Sequence, residues 1–331
     1  MRLENTLALT HGRLINEPFV NSFENIVFEA KAVKRGDLFI AFDEASIEEA
    51  VFNGAYGILF DKPTQISDSE IAWIKVKSVD DALKRLLRFR LIEKEITSFK
   101  CNEIILKLAL QVITEPNFVA ISGDIKIIAQ MLWSVDSNAV ILFCPTLCDS
   151  DIFTDIRELP RFANADINII EKTLFETSFI YDDIFYERQL ISPFFIPFLN
   201  ELLNLFKSQK INFRLRKFLP IEHFEAVFTN KNFELKDFGT SDKVLIFEKN
   251  IDLISQEIEF LQESANWAKI IYILPSSYKN EDQENMYRYK HQNEIVGILK
   301  EQSFHFALVV GVDKSILDKP ITNQMQLTLN F

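Results

Sequence analysis

Glycine is scarce in this sequence, with 8 residues among 331, well below its usual share of about 7%. Nucleotide sites use glycine where the backbone must approach a ligand closely, so this scarcity argues mildly against such a site. Cysteine occurs three times, which argues against a disulfide framework and favours a reducing cytoplasm. No apolar run reaches the length that crosses a bilayer, so we expect no membrane insertion.

Basic residues are also too few to balance the acidic ones, and the net charge is −12. This charge disfavours binding to nucleic acid and to anionic membrane surfaces. The N-terminal residues MRLENTLALTHGRL carry charges inside any apolar signal core, so a secretory signal is not expected. Apolar residues make up 48% of the chain, and its length allows two or three domains with their own cores.

The first hundred residues show the pattern of a small α/β domain. Apolar runs at 38–42, 56–60 and 71–76 predict strands. Ser46 and Ser78 precede helical patterns, and we expect both to cap a helix N-terminus. Strands and helices therefore alternate in this part of the chain.

The segment FVAISGDIKIIAQML, residues 118–132, predicts a buried strand, a turn at Gly123 and a helix. Folds that bind mononucleotides hold phosphate at such a turn. A working loop of the form G-x-x-x-x-G-K-[ST] needs a second glycine and a hydroxyl for Mg²⁺. Here only Gly123 and Lys126 remain, isoleucines follow the lysine, and Asp124 adds a negative charge. We expect a vestigial nucleotide loop kept for packing; the alternative is that Lys126 still contacts a phosphate.

The last third of the chain also alternates between the two kinds of element. Strands are predicted at 243–247, 270–274 and 306–310, and helices at 252–263 and 284–301. This alternation is typical of a parallel or mixed sheet covered by helices.

The order of these motifs resembles the Mur ligases of peptidoglycan synthesis. GDLFIAF, NGAYGILF, IAWIKVKSVDDALKRLLRFR and the loop segment match the front of the MurF branch, and IIYILPSSY, YKHQNEIVGIL and HFALVVGVD match its end. MurF enzymes add D-alanyl-D-alanine to a UDP-MurNAc-tripeptide. The resemblance implies a three-domain α/β architecture: an N-terminal domain at 1–96, a shortened ATPase-like domain at 97–216, and a Rossmann-like domain at 217–331.

The resemblance also indicates where the family's ligand sites fall. The Asp-Ser-Arg of the uridine-nucleotide site falls on Glu29, Ala30 and Lys31, which lack the hydroxyl and the planar guanidinium. Lys31 either holds a diphosphate or is a solvated surface residue. The C-terminal amino-acid site keeps Asn250 and His291. We expect these positions to be vestigial, with no catalytic residue, no metal and no cofactor.

The resulting hypothesis is a catalytically degenerate protein that acts by binding or scaffolding, linked to peptidoglycan precursor synthesis by descent. The alternative is a divergent ATP-dependent ligase, or a protein that still binds a UDP-sugar or a peptide. Whether a small-molecule ligand survives stays open. We expect a cytoplasmic protein that contacts itself or a protein partner.

Phenylalanine motivates the expected protein contact, because it occurs 31 times and is concentrated near the second domain junction. An exposed apolar patch built from these rings would mark an interaction site. The competing interpretation is that the rings fill the junction. The residues concerned are Phe194, Phe195, Phe198, Phe206, Phe213, Phe218, Phe224 and Phe228.

Overall fold

The computed structural model describes residues 1–160, 166–215, 217–278 and 284–317. The chain divides into two compact units. Unit 1 comprises Met1–Ala163 and Glu201–Leu215, and unit 2 comprises Asn164–Asn200 and Arg216–Phe331. The predicted division at 96 and 216 stays a prediction, and both position 216 and the C-terminal stretch 318–331 lie outside the described residues.

Unit 1 begins with a mixed sheet and the helices that cover it. The elements are α1 (Leu3–Thr10), β1 (Arg13–Leu14), β2 (Ile26–Val27), β3 (Leu38–Ile40), α2 (Ile47–Phe52), β4 (Gly57–Phe60), β5 (Ala72–Lys75) and α3 (Val79–Glu93). The strand order is β1-β5-β4-β3-β2, in which β1 runs antiparallel to β5 and the other pairs are parallel. The strands predicted from apolar runs are therefore confirmed.

The two predicted helix caps have different outcomes. The Ser78 side chain accepts a hydrogen bond from the Asp81 amide and caps α3, as expected. Ser46 makes no such bond to α2; its hydroxyl donates to the Asp43 carbonyl instead. The backbone of Ser46 is already helical, with φ −83° and ψ −11°, whereas a capping residue is usually extended.

A parallel sheet follows in unit 1. Its elements are β6 (Thr97–Lys100), α4 (Glu103–Val112), β7 (Phe118–Ile121), α5 (Ile125–Trp133), β8 (Val140–Phe143) and β9 (Ile156–Glu158). The strand order is β7-β8-β6-β9. The predicted strand–turn–helix around Gly123 is therefore present as β7, a short turn and α5.

One apolar core joins the two sheets of unit 1. It contains residues of the first sheet, of α3 and of the β7–α5 segment, such as Leu59, Leu86, Ile121 and Ile128, all of which are buried. Helices α3 and α5 contact each other within it. The helix after Gly123 is thus held by side-chain packing, whatever its loop binds.

Unit 2 begins with an antiparallel sheet that the sequence patterns did not predict. Its strands are β10 (Asn168–Lys172), β11 (Thr177–Tyr181) and β12 (Ile184–Gln189), in that order. The outer strands are mostly exposed and only β11 is largely buried. Helix α6 (Ile196–Gln209) follows in the chain, and the unit boundary at residues 200/201 falls within it. No helix among the described residues combines the length and apolar character that membrane crossing requires.

The last sheet belongs wholly to unit 2. Its elements are β13 (Glu225–Thr229), β14 (Lys243–Glu248), α7 (Ile254–Ser264), β15 (Ile270–Pro275), β16 (Met286–Tyr289), α8 (Asn293–Glu301) and β17 (Phe306–Val310). The order is β13-β14-β17-β15-β16, with only β13–β14 antiparallel. The prediction of a helix at 284–301 was wrong for its first residues. Met286–Tyr289 pair with β15 as a strand, and α8 begins at Asn293.

The expectation of an exposed phenylalanine patch is wrong for most of its rings. Phe194, Phe195, Phe206, Phe218 and Phe224 are all buried, and the other three are half-buried. Within unit 2, Phe194 stacks on Phe224 at 5.5 Å. Within unit 1, Phe206 stacks on Phe213 at 5.3 Å. Most of these rings therefore lie in the interior, and the competing interpretation, that they fill the junction, stays a prediction.

Candidate functional site

The loop between β7 and α5 is built around Gly123 and Asp124. Gly123 has φ +120°, a conformation that residues with a Cβ rarely adopt. Asp124 is the N-cap of α5, and its carboxylate accepts a hydrogen bond of 2.9 Å from the Ile127 amide. A helix N-terminus attracts anions through its unpaired amides and its dipole. Here the chain's own carboxylate occupies that position.

Lys126 and Glu29 come from separate predicted sites but lie side by side. Lys126 Nζ is 3.9 Å from Glu29 Oε1, and the Gln130 amide donates a 3.0 Å hydrogen bond to the same oxygen. Lys126 also lies over the Phe42 ring, 5.6 Å from its centroid. The lysine that could meet a phosphate therefore has a carboxylate and an aromatic ring as neighbours.

The other two residues of the predicted uridine site differ in exposure. Ala30 is buried in an apolar cluster, and its carbonyl accepts a 2.9 Å hydrogen bond from the Asn53 side chain. Lys31 follows in the short 3₁₀ helix Ala30–Ala32 and is exposed. Ala30 serves packing, and Lys31 lies at the surface, where both interpretations of it stay open.

These residues do not fit the ATP–Mg²⁺ site that the resemblance implies. A phosphate at the α5 N-terminus would meet the Asp124 carboxylate and compete with it for the Ile127 amide. Ile128, one of the two isoleucines where a hydroxyl is needed, is 1% exposed and belongs to the core. A buried methyl-rich side chain supplies no oxygen ligand to Mg²⁺.

The predicted C-terminal residues lie in unit 2 and have structural contacts. The Asn250 side chain accepts a 3.0 Å hydrogen bond from the Asp252 amide and caps the 3₁₀ helix Ile251–Leu253. His291 is exposed just before α8, and its carbonyl accepts a hydrogen bond from the Glu294 amide. Both residues therefore make local structural contacts.

A buried cluster of ionisable residues was not predicted and lies next to Asn250. His223, Glu248 and Glu257 are at most 3% exposed. Glu248 accepts hydrogen bonds from the Phe224 amide at 3.0 Å and the Asn250 amide at 2.6 Å. His223 Nδ1 lies 2.9 Å from Glu248 Oε1, and it is the donor when Glu248 is ionised.

The two glutamates of this cluster titrate in opposite directions. Burial raises the pKa of Glu257 well above its usual value, and the negative charge of Glu248 raises it further. For Glu248, burial acts to raise the pKa, but hydrogen bonding by His223 and other donors outweighs it and holds the pKa below its usual value. The environment therefore favours the ionised form of Glu248 and the protonated form of Glu257.

The burial of Glu257 could have been predicted from the spacing of residues in α7. Ile254, Glu257, Ile258 and Leu261 follow the i, i+3, i+4, i+7 pattern of a buried helix face, and all four are buried. A glutamate in such a stripe predicts a buried carboxyl group. Its pairing with Glu248 and His223 has no comparable signal, because it depends on the sheet packing.

The cysteines do not form a metal site. Cys101, Cys144 and Cys148 are free thiols, and the described part of the chain has no group of His, Cys, Asp or Glu residues placed to hold a metal ion. Burial raises the pKa of Cys148 to about 11 and that of Cys101 further. Thiols of this kind are protonated near neutral pH and are poor ligands and nucleophiles.

Comparisons with known proteins identify the fold. No family model matches the sequence, and no curated protein matches it. A crystal structure of MurF from Acinetobacter baumannii superimposes with a TM-score of 0.50 at 9% identity, covering 93% of this chain and 95% of that one. MurF ligase from Thermotoga maritima in complex with ADP gives 0.48 at 11% identity, covering 89% and 95%.

The first of these comparisons carries the assignment, and it extends over nearly all of both chains. At 9% identity it establishes the arrangement of the backbone and not the chemistry of a site. The mixed and parallel sheets of both units agree with it. The chain therefore has the α/β fold of the Mur ligases, of the MurF type.

Proposed function

We propose that this chain is a catalytically degenerate Mur-ligase-like protein that acts by binding or scaffolding in peptidoglycan precursor synthesis. The observation that carries the proposal is the β7–α5 loop. Its helix N-terminus is capped by Asp124, and its lysine lies beside Glu29. Amide-bond formation through an acyl phosphate needs a held nucleotide, Mg²⁺ and a positioned amine. The residues at this loop favour none of these.

Direct binding measurements test the proposal. We expect isothermal titration of the purified protein with ATP–Mg²⁺ to give no saturable heat at micromolar concentrations. UDP-MurNAc-tripeptide should behave in the same way, since Ala30 and Lys31 replace the residues that would select it. Micromolar ATP affinity, weakened by Lys126→Met and not by Lys34→Met at an exposed position, would contradict the proposal.

The second candidate is a divergent ATP-dependent ligase, which the fold favours. It predicts ADP release that depends on both a UDP-MurNAc-peptide and an amine substrate. The binding titration separates the two candidates, because a ligase must hold both nucleotides. Survival of a UDP-sugar site alone would appear as UDP-MurNAc-peptide binding without ATP binding, weakened by Lys31→Ala.

A scaffolding role requires a partner, and we propose a second copy or another cytoplasmic cell-wall protein. The buried phenylalanines do not support this contact, so it rests on the retained fold and the altered loop. Sedimentation of the purified chain, combined with affinity purification from the native cytoplasm, tests it. A strict monomer that recovers no specific partner would contradict the scaffolding role and leave the nucleotide result unaffected.

A further inference from the structure

Unit 2 contains a cavity of about 710 Å³ that the proposed function does not use. It lies among the turn between β10 and β11, the strands β13, β14 and β17, the end of α7, and the loop that follows α7. Its volume falls within the range of small-molecule sites, roughly 300–1,000 Å³. The space is therefore large enough for an organic ligand.

A continuous row of aromatic rings forms one side of the cavity. We call this row the ring wall; consecutive centroids lie between 5.0 and 6.4 Å apart. Its members, in order, are Phe238, Phe228, Phe175, Phe306 and Trp267. Rings at such spacings favour edge-to-face and offset contacts with a further ring. The ring wall therefore suits a planar aromatic group.

The two ends of the ring wall face solvent. Trp267 is 72% exposed and Phe238 is 45% exposed. Burying the exposed part of an aromatic side chain is favourable. A ligand that covers these two rings would therefore gain binding free energy from their burial.

Charges of both signs lie in the cavity lining. Lys172, at the end of β10, and Glu263, near the end of α7, are both exposed. Within the described chain, neither has an ion-pair partner within 4.0 Å. Lys172 also lines an adjoining cavity of about 640 Å³, where Arg188 is already paired with Glu176 at 3.3 Å. An occupant can therefore meet one cation and one anion.

We propose that this cavity binds an aromatic zwitterion, the chemistry of an aromatic amino acid. The ligand ring lies on the ring wall, its carboxylate meets Lys172, and its ammonium group meets Glu263. An aromatic anion would gain the lysine contact but be repelled by the glutamate. A purely apolar ligand would use neither charge. Only a zwitterion matches the ring wall and both charges.

Three related probes test this chemistry: phenylalanine, 3-phenylpropionate, which lacks the amine, and phenethylamine, which lacks the carboxylate. We expect phenylalanine to bind the full chain saturably in titrations followed by ligand NMR. Each of the other probes should bind about two- to fivefold more weakly, since an exposed ion pair is worth up to about 1 kcal/mol. Absence of saturable phenylalanine binding would overturn the proposal.

Charge variants separate the two ends of the ligand. Lys172→Gln should weaken phenylalanine and 3-phenylpropionate but strengthen phenethylamine, because it removes the like charge that repels the amine. Glu263→Gln should weaken phenylalanine and phenethylamine but strengthen 3-phenylpropionate, because it removes the like charge that repels the carboxylate. Lys290→Gln, at an exposed lysine of unit 2 outside the cavity lining, is the matched control and should change none of the three. Equal effects of a variant on all three probes would contradict the assigned orientation.

The ring wall is tested at its exposed end. Trp267→Ser should weaken all three probes about tenfold, the loss expected for one good aromatic contact of about 1.4 kcal/mol. Phe52→Ser removes a ring that is 89% exposed in unit 1 and should have no effect. If Trp267→Ser instead converts a dimer to a monomer, as measured by sedimentation, the ring wall is an interface between copies and the proposal is wrong.

Discussion

Charged residues lie near the end of β7 in unit 1 and at the end of β14 in unit 2, but their environments differ. Near β7, Asp124 is exposed and the pair Glu29–Lys126 lies at the surface. At the end of β14, Glu248 is fully buried with His223 and Glu257. Water screens the first set and cannot reach the second. We therefore expect the first set to be replaceable at little cost, and the second to control the stability of unit 2.

The largest effect is expected for Glu248→Leu. It removes the acceptor for His223 and for the amides of Phe224 and Asn250. A buried donor left without an acceptor costs about 1–3 kcal/mol. Hydrogen exchange of the β14 peptide, followed by mass spectrometry, should lose protection to that extent. If the variant kept the hydrogen-exchange protection of the unmutated chain, the buried charged residues of unit 2 would contribute no more to stability than the exposed ones of unit 1.

A pH-dependent effect is expected for Glu257→Gln. The pKa of Glu257 is raised in the folded state above its unfolded value of about 4.5. Its contribution to the free energy of unfolding is therefore complete below pH 4.5 and is lost as the pH rises toward the folded pKa. The loss is at most about 1.4 kcal/mol per pH unit. Glutamine stays neutral, so the variant should gain stability relative to the unmutated chain with rising pH.

Urea unfolding at several pH values between about 5 and 8 measures this difference. Glu259→Gln is the matched control, because Glu259 lies on the same helix but is exposed. Glu248 acts with the opposite sign: its lowered pKa gives stability that is present above about 4.5 and is lost as the pH falls through its folded pKa. Parallel pH profiles for the Glu257 variant and the unmutated chain would contradict the assignment of a protonated Glu257.

A smaller effect is expected at the α5 N-terminus. Asp124→Ala removes the acceptor for the Ile127 amide and should cost about 1 kcal/mol. Asp124→Asn keeps an acceptor and should cost less, which makes it the control. Hydrogen exchange of α5 measures both. If alanine had no effect, the carboxylate would not be serving as the cap.

The smallest effect is expected for the pair Glu29–Lys126. Both side chains are partly exposed and their charged atoms are 3.9 Å apart, so the coupling energy should be below about 1 kcal/mol and should decrease with added salt. A double-mutant cycle with Glu29→Gln and Lys126→Met measures it. A coupling of several kcal/mol would show that this pair resembles the buried cluster.

Strong local patterns made much of the fold predictable. The apolar strands β14, β15 and β17, the Ser78 cap and the turn at Gly123 all follow from a few neighbouring residues. The β10–β12 sheet lacked such a signal, because its outer strands are exposed and mix charges with apolar residues. The aromatic residues of β16 pair with residues of β15 that lie more than ten positions earlier in the chain. The spacing of neighbouring residues does not indicate that pairing.

The candidate sites were predictable only in part. The departure of the loop from a working phosphate-loop sequence could be read from Asp124 and from the isoleucines after Lys126, because those residues are adjacent in sequence. The meeting of Lys126 with Glu29 joins positions far apart in the chain. The ring wall likewise combines residues from separate elements. Such contacts depend on how the elements pack, which one sequence does not specify.

The core shared by the two sheets of unit 1 has a consequence for fragments of this chain. Its members lie on both sides of position 96, including Leu86 before it and Ile128 after it. A polypeptide that ends there would expose to water the apolar side chains that residues such as Ile128 normally cover, and it would aggregate or recruit the missing part of the core. Two such pieces, expressed together, should instead reassemble by fragment complementation.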